Sequence, residues 1–438
     1  MDGDCADLLA PWLPRLRAAR HCFVAYSGGL DSTLLLHALH PQLPPGRLTA
    51  VHVNHGLSPH ADRWQAHCAA RCAALGVPLV AERVVVSPAG EGLEQAARAA
   101  RYRVFEALLG AGDLLLLAHH RDDQVETVLY RLLRGSGPRG LAGMPASRPL
   151  GAGTLARPFL TLDRATLDAR ARALGLDWIE DESNTRVDAD RNYLRHELLP
   201  RVAARWPAYR ARVARSALHC AEADELARQV GREDLAALGE RPERRGFSLC
   251  LAGFTRLTAE RQGNLLRVWL DERGLPVPGH GTVRGVIAEL LPARDDAAPL
   301  VEFGGGRFRR HRRRLYLEPG EPSTAAPGVI LPWDIRHRLP LPGGFTLEAV
   351  PGVGGLRVAP GDRFEVRFRR GGERCRPAGR GGSHPLKKVL QEQGLEPWLR
   401  DLVPLVFCNG ELAAVGDLFL CEGFAAPPDA PGLALRWR

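Results

Sequence analysis

Lysine is almost absent from this chain. Of 59 basic residues only Lys387 and Lys388 are lysine, and all the others are arginine. Ala, Gly, Pro and Arg dominate throughout, as a GC-rich coding bias produces, and against that bias two adjacent lysines stand out. An ammonium is a compact, flexible point charge, which an arginine fork is not; the competing explanation is chance retention on a solvated face. Other absences exclude whole classes. No apolar run approaches the ~20 residues that span a bilayer, and the first twenty residues lack a basic stretch followed by an apolar core, so no membrane anchor and no secretory leader are expected. Nine cysteines, odd in number and scattered without a C-x-x-C, exclude a disulfide framework and fit a reducing, cytoplasmic setting. There is no G-x-x-x-x-G-K-[ST] and no H-E-x-x-H, which excludes the Walker phosphate loop and disfavours a zinc hydrolase.

What is present points elsewhere. A length of 438 residues corresponds to about three domains. A net charge of +9 with pI near 9.4 favours a polyanionic partner, most often nucleic acid. From residue 20 to about 185 the pattern alternates strand and helix. Strands are expected at 22–26, 47–53, 77–86 and 113–118, and helices at 61–75, 92–109 and 123–133. Such alternation implies a parallel sheet covered on both faces, with ligands bound beyond the carboxyl ends of its strands. Residues 190 to 290 look mainly helical. Beyond them, 301–317 is strand-like and carries the run Arg309–Arg314, expected to be a solvated basic edge strand or a second nucleic-acid contact. From 318 to 361, Pro and Gly are frequent and predict linking structure. Near the end, Asn409-Gly410 between two apolar runs predicts a hairpin with a type I′ turn.

Three segments carry chemistry. Ser27-Gly28-Gly29-Leu30-Asp31-Ser32 follows an apolar strand and opens a helix, a layout in which backbone N–H groups meet an anion at the positive helix end. Asp31 beside phosphates would be repulsive without a cation, so it is expected to hold Mg²⁺; an ordinary strand-to-helix turn is the bland alternative. His52 and Asn54, in the run Val51 to Ser58, leave a strand toward the same mouth and are candidates for the adenosine end. His119 to Thr127 leaves a third strand. Within it Asp123 and Glu126 share a helix face, a poor choice for stability alone and a good one for a metal or for the ammonium of a cationic substrate.

With Gly92 to Tyr102, Arg134 to Gly137, Trp178 to Asn184 and Asp190 to Arg195, these segments occur in an order that resembles the tRNA(Ile)-lysidine synthases, ATP pyrophosphatases with an SGGxDS loop. Arg374 to Leu399, including Leu386-Lys387-Lys388, is similar to that family's last domain. The resemblance implies an α/β fold. A parallel-sheet, adenine-nucleotide-hydrolase-like catalytic domain would span 1–215, with a mainly helical substrate-binding domain at 216–320. A Pro/Gly-rich linking region at 321–362 and a small α+β domain at 363–438 would follow. It implies ATP and Mg²⁺ as cofactors, and free L-lysine and the CAU-anticodon isoleucine tRNA as substrates. The wobble cytidine would be adenylated at its carbon-2 oxygen, and the lysine amine would then displace AMP.

By the same resemblance, Asp31, Asp123 and Glu126 are the catalytic candidates. Ser27, Gly28, Gly29, Leu30, Asp31, Ser32, His52 and Asn54 would bind ATP, with Asp31 on Mg²⁺. Asp123 and Glu126 would hold lysine, with Arg98 or Arg101 on its carboxylate. Arg191, Arg195, Arg374, Arg376, Lys387 and Lys388 would contact tRNA, the two lysines at a helix start capped by Ser383. A homodimer is compatible with this reading and not required by it. The rival is a sulfurtransferase of the same superfamily acting on cytidine, disfavoured by the lack of paired cysteines.

Overall fold

The computed structural model describes residues 5–87, 92–180, 190–292, 299–320 and 328–438. The chain divides into two units, Met1–Leu226 and Ala227–Arg438.

The first unit is built on a six-stranded sheet of β1 (Cys22–Ala25), β2 (Leu48–Asn54), β3 (Leu79–Arg83), β4 (Leu114–Leu116), β5 (Ser147–Leu150) and β6 (Gly153–Ala156). Their order is β3-β2-β1-β4-β6-β5. All neighbours are parallel except the terminal β5–β6 pair. The sheet is covered on both faces, as its two central strands, β1 and β4, require by being apolar at every position. Period two sends Leu114 and Leu116 into one core with Val24, Leu34, Leu35 and Phe159. Leu115 and Leu117 enter the other, with Val51, Phe105 and Leu155. Helices lie where the apolar spacing predicts, at Leu30–Leu39, Ala61–Leu75, Leu93–Leu108 and Arg121–Leu133. Ala61–Leu75 stops at Gly76, left-handed at φ 68°, whose N–H returns to the helix's last carbonyls.

This order fixes the site. From β1 the chain steps to β2 on one side, while β4 lies on the other. Ligands bind at such a reversal, outside the carboxyl ends of the strands. The loop after β1 and the segment after β4 flank it.

The second unit contains a five-stranded antiparallel sheet in the order Arg241–Pro242, Phe247–Cys250, Arg314–Pro319, Gly306–His311, Leu300–Phe303. The helix Ala259–Glu272 packs on it through Leu265, Leu266 and Trp269, against Leu249, Phe308 and Leu317. Here two expectations are corrected. The run Arg309–Arg314 forms the turn and inner ends of a central hairpin, not an edge strand. Arg312 and Arg313 at the turn are exposed, while the strand guanidiniums are spent within the fold: Arg309 reaches Glu318 and lies 4.9 Å over the Trp398 ring, and Arg310 donates to the Leu291 carbonyl. Arg312 donates to the Gln391 carbonyl and Arg314 to Ser248.

The region expected to be linking structure supplies strands instead. Ile330–Trp333 pairs with Phe364–Arg367, and Thr346–Val353 pairs along its length with Pro431–Trp437. Trp333, Leu347 and Leu356 are buried in the C-terminal core. The Asn409-Gly410 hairpin forms as expected, with φ of 50° and 87°. Ser383 does not cap the following helix, Leu386–Glu392. It accepts a hydrogen bond from Arg374 Nε at 2.9 Å instead.

Candidate active site

The loop after β1 is held by its own hydroxyls. Ser27 and Ser32 Oγ lie 3.1 Å apart, Ser32 donates to the Gly29 carbonyl at 3.0 Å, and Thr33 donates to that of Gly28 at 3.3 Å. Gly28 has φ +82° and packs closely. A Cβ there would lie 2.6 Å from Ile179 Cδ1 and 2.9 Å from Cys68 Sγ, and Ile179 N–H donates to the Gly28 carbonyl at 2.9 Å. Leu30 is buried beneath the loop, so its side chain anchors the helix start. Glu180 is the last described residue of the Trp178–Asn184 motif; 181–184 lie outside the described residues.

Asp31 sits in the first turn of the Leu30–Leu39 helix. Its Oδ1 is buried without a hydrogen-bond partner among the described residues. A carboxylate oxygen in that state fits a hard cation. No group of three or more His, Cys, Asp or Glu side chains is gathered as a protein-only metal cage among the described residues. The donor set therefore suits Mg²⁺ shared with substrate phosphates, the usual way that ion is held.

His52 and Asn54, the candidates for the adenosine end, lie at the end of β2 with their side chains engaged inside the fold. His52 is buried, with Nδ1 donating to the Tyr26 carbonyl at 2.9 Å, and burial lowers its pKa. Asn54 donates to Asp62 and Gln65 and accepts from Gly56 N–H. Both side chains shape the end of β2 from within.

Across the reversal, His120 caps the helix Arg121–Leu133. Its Nδ1 accepts from Asp123 N–H at 3.4 Å, and Asp123 Oδ2 accepts from His120 N–H at 2.9 Å. Its Nε2 faces Asp31 Oδ2 at 3.6 Å. Burial works against the charged imidazole, but Asp31, Asp123 and Asp122 outweigh it and the pKa is raised. Burial first, then the neighbouring carboxylates Glu126 and Asp31, hold the Asp123 carboxyl above its ordinary range, opposed by His120.

Glu126, 4% exposed, is gripped by Arg195, whose Nε and Nη2 lie 2.7 and 2.8 Å from its two oxygens. The same guanidinium is 3.6 Å from Asp123 Oδ1. Asp122 is engaged by Arg210 Nε and by the Arg164 N–H at 3.0 Å.

On the Leu93–Leu108 helix, Arg98 lies 5.0 Å over the Tyr102 ring and donates to its hydroxyl. Arg101 makes no hydrogen bond or ion pair with any described residue. Burial and then Arg98 lower its pKa, the state of a cation short of an anion. His119, at the end of β4, accepts from Arg157 Nε at 3.2 Å. Burial, then Arg157, pushes it down to about 3, so the imidazole is neutral. Half-buried Arg191 adds to this cationic side. The site is thus polar in the literal sense, acidic at Asp31, Asp123 and Glu126 and basic at Arg98, Arg101 and Arg191. Sequence reasoning missed the cap at His120, the Glu126–Arg195 pair and the Asp122–Arg210 pair. Only the cap left a signal, a polar residue just before a helix with Asp three residues on. In the second unit Arg374, Arg376, Lys387 and Lys388 are all exposed.

Family models agree with this layout. The PP-loop domain matches residues 5–202, the TilS substrate binding domain 249–316, and the TilS substrate C-terminal domain 364–437. The tRNA(Ile)-lysidine synthase of Coxiella burnetii is 41% identical over 95% of this chain and 93% of its own length. The chain belongs to the tRNA(Ile)-lysidine synthases. The Pseudomonas aeruginosa synthase is 44% identical over 98% of this chain and 95% of its own length. That of Alkalilimnicola ehrlichii is 43% identical over 96% and 95%. No described helix is long and apolar enough to cross a membrane.

Proposed function

We propose that this protein is an ATP-dependent carbon–nitrogen ligase that joins L-lysine to carbon-2 of the wobble cytidine in the CAU-anticodon isoleucine tRNA. One observation carries the assignment. The PP-loop carboxylate Asp31 and Asp123 meet around a single capping residue, His120, and Arg195 ties Asp123 to its helix-face partner Glu126. A nucleotide-activating loop and a seat for a cationic nucleophile therefore share one mouth. ATP binds at the loop Ser27–Ser32, with Mg²⁺ held through Asp31. That ion neutralises phosphate charge when bound. The adenylated cytidine then meets an amine steered by Asp123 and Glu126, while Arg101, a guanidinium without an ion-pair partner among the described residues, takes the lysine carboxylate in the fork geometry arginine favours. The target base must leave its stack to react. The exposed cations Arg374, Arg376, Lys387 and Lys388 bind the tRNA backbone, which makes affinity salt-dependent.

The sulfurtransferase alternative has little support. It needs a reactive thiolate. The thiols closest to the nucleotide loop are buried, and that burial pushes Cys22 and Cys72 up to about 11 and Cys68 up to about 12. The experiment is incorporation of labelled lysine into isoleucine tRNA transcripts with Mg·ATP, against methionine tRNAs. Label in the isoleucine transcript alone is expected, and none with Asp31→Ala. AMP release without label would remove lysine as the nucleophile.

A further inference from the structure

Arg195 already fills the place that two carboxylates would offer to an ammonium. Both oxygens of Glu126 are engaged by its fork, and it is the guanidinium facing Asp123 Oδ1. A second cation brought to the same pair meets like charge in a partly desolvated place, where repulsion is poorly screened. The two partners differ in access. The Glu126 side chain is 5% exposed and that of Arg195 is 30% exposed, so the guanidinium has a route outward and the carboxylate has none.

The backbone beneath Arg195 is unusual. Leu194–Leu198 is a turn of π-helix between the helices Asp190–Tyr193 and Leu199–Arg205. Such turns are rare and gather at functional sites. Relaxing one to α geometry shifts the register by one residue, a rotation of about 100°, enough to carry a side chain from one face to the next. Arg195 also lies within electrostatic reach of Asp31, so a released guanidinium stays beside the nucleotide loop, where phosphates supply a new partner.

We propose that Arg195 is an internal stand-in for the lysine ammonium: it neutralises Glu126 and Asp123 in the resting enzyme, is displaced when lysine binds, and is thereby freed for the phosphates of the nucleotide or tRNA. This rests on the assignment of Asp123 and Glu126 to lysine. Arg195 serves both as counter-cation and as nucleic-acid contact, in sequence rather than at once. Lysine and tRNA binding are coupled through it, and the coupling is reciprocal.

The test is titration of L-lysine into full-length enzyme with Mg·ATP by calorimetry, for wild type, Arg195→Ala, Arg195→Lys and Glu126→Gln. A stand-in that occupies its seat nine times in ten weakens apparent lysine affinity about tenfold. Arg195→Ala is therefore expected to bind lysine about tenfold tighter. Arg195→Lys, which cannot make the fork, should fall between the two and decides the matter if the alanine variant does not fold. Guanidinium ion at millimolar concentration should compete with lysine in Arg195→Ala and much less in wild type. Lysine should raise tRNA affinity in wild type and not in Arg195→Ala. Unchanged or weaker lysine binding by both Arg195 variants overturns the displacement. If Glu126→Gln leaves lysine affinity unchanged, the underlying assignment fails instead. A loss of tenfold or more in Glu126→Gln, with no gain in the Arg195 variants, overturns the stand-in alone.

Discussion

His120 stands between the two halves of the site, with Nε2 3.6 Å from Asp31 Oδ2 and Nδ1 accepting the Asp123 N–H at 3.4 Å. Because Nδ1 accepts, the proton of the neutral ring is on Nε2 and points at Asp31. Cap and contact can be separated by substitution. His120→Ala loses both and should lower stability by about 1 kcal/mol, the usual worth of an N-cap. His120→Asn restores a good cap without reaching Asp31. Its melting temperature should return toward wild type while pyrophosphate release stays depressed. Recovery of both together would make His120 a cap and nothing more.

Gly28 is required by conformation and by space. Its φ of +82° is costly for a residue with a side chain, about 1–2 kcal/mol, and the added methyl would overlap Ile179 and Cys68. Gly28→Ala should therefore distort the loop rather than only soften it. ATP binding, measured by calorimetry, is expected to weaken at least tenfold, with a fall of a few degrees in melting temperature. Wild-type ATP affinity would mean that Ile179 and Cys68 yield easily and that the loop tolerates the change.

Much of this site was legible because its signals are local. β1 and β4 are continuous apolar runs. The loop glycines and the helix starts stand next to them, so the two chemical segments could be placed on strand ends before any contact was known. The Glu126–Arg195 pair was not legible. Its partners are 69 residues apart, the sequence assigns one to lysine and the other to tRNA, and a π turn has no periodicity of its own to read. The linking region misled for a different reason. Thr346–Val353 contains proline and glycine, yet it is completed by Pro431–Trp437, a partner nearly eighty residues later. Strand identity there comes from pairing, not from propensity. The basic run Arg309–Arg314 misled because charge alone does not say which way a guanidinium turns. Long arginine stems can carry their heads to buried carbonyls and rings as well as to water.

Arg101 tests the basic side of the site. It makes no ion pair with any described residue, whereas Arg98 is spent on Tyr102. Arg101→Gln is expected to raise the KM for lysine by at least tenfold with a smaller effect on kcat. Cadaverine, lysine without its carboxylate, should lose most of its disadvantage in the variant. A larger effect from Arg98→Gln would transfer the carboxylate contact to Arg98.

Stability should fall in acid through Asp113, at the foot of β4. This buried carboxylate accepts from Arg20 Nε at 2.9 Å, Arg20 Nη2 at 2.7 Å and Gly110 N–H at 2.8 Å. The hydrogen bonds from Arg20 hold its pKa below the ordinary value, against burial. A depressed folded pKa means that the unfolded chain takes up the proton first. The contribution is complete above the unfolded value of about 3.9 and is lost as pH falls through the folded value. Asp113→Asn keeps the shape and removes the titration. It should cost about 1–3 kcal/mol at neutral pH, since Arg20 and Gly110 lose a charged acceptor. The gap to wild type should then narrow as pH is lowered below about 4. Urea melts of both proteins at pH 7 and pH 3.5 measure this directly, and a gap that is constant across that range would mean that Asp113 titrates normally and that its hydrogen bonds do not distinguish the charged carboxylate.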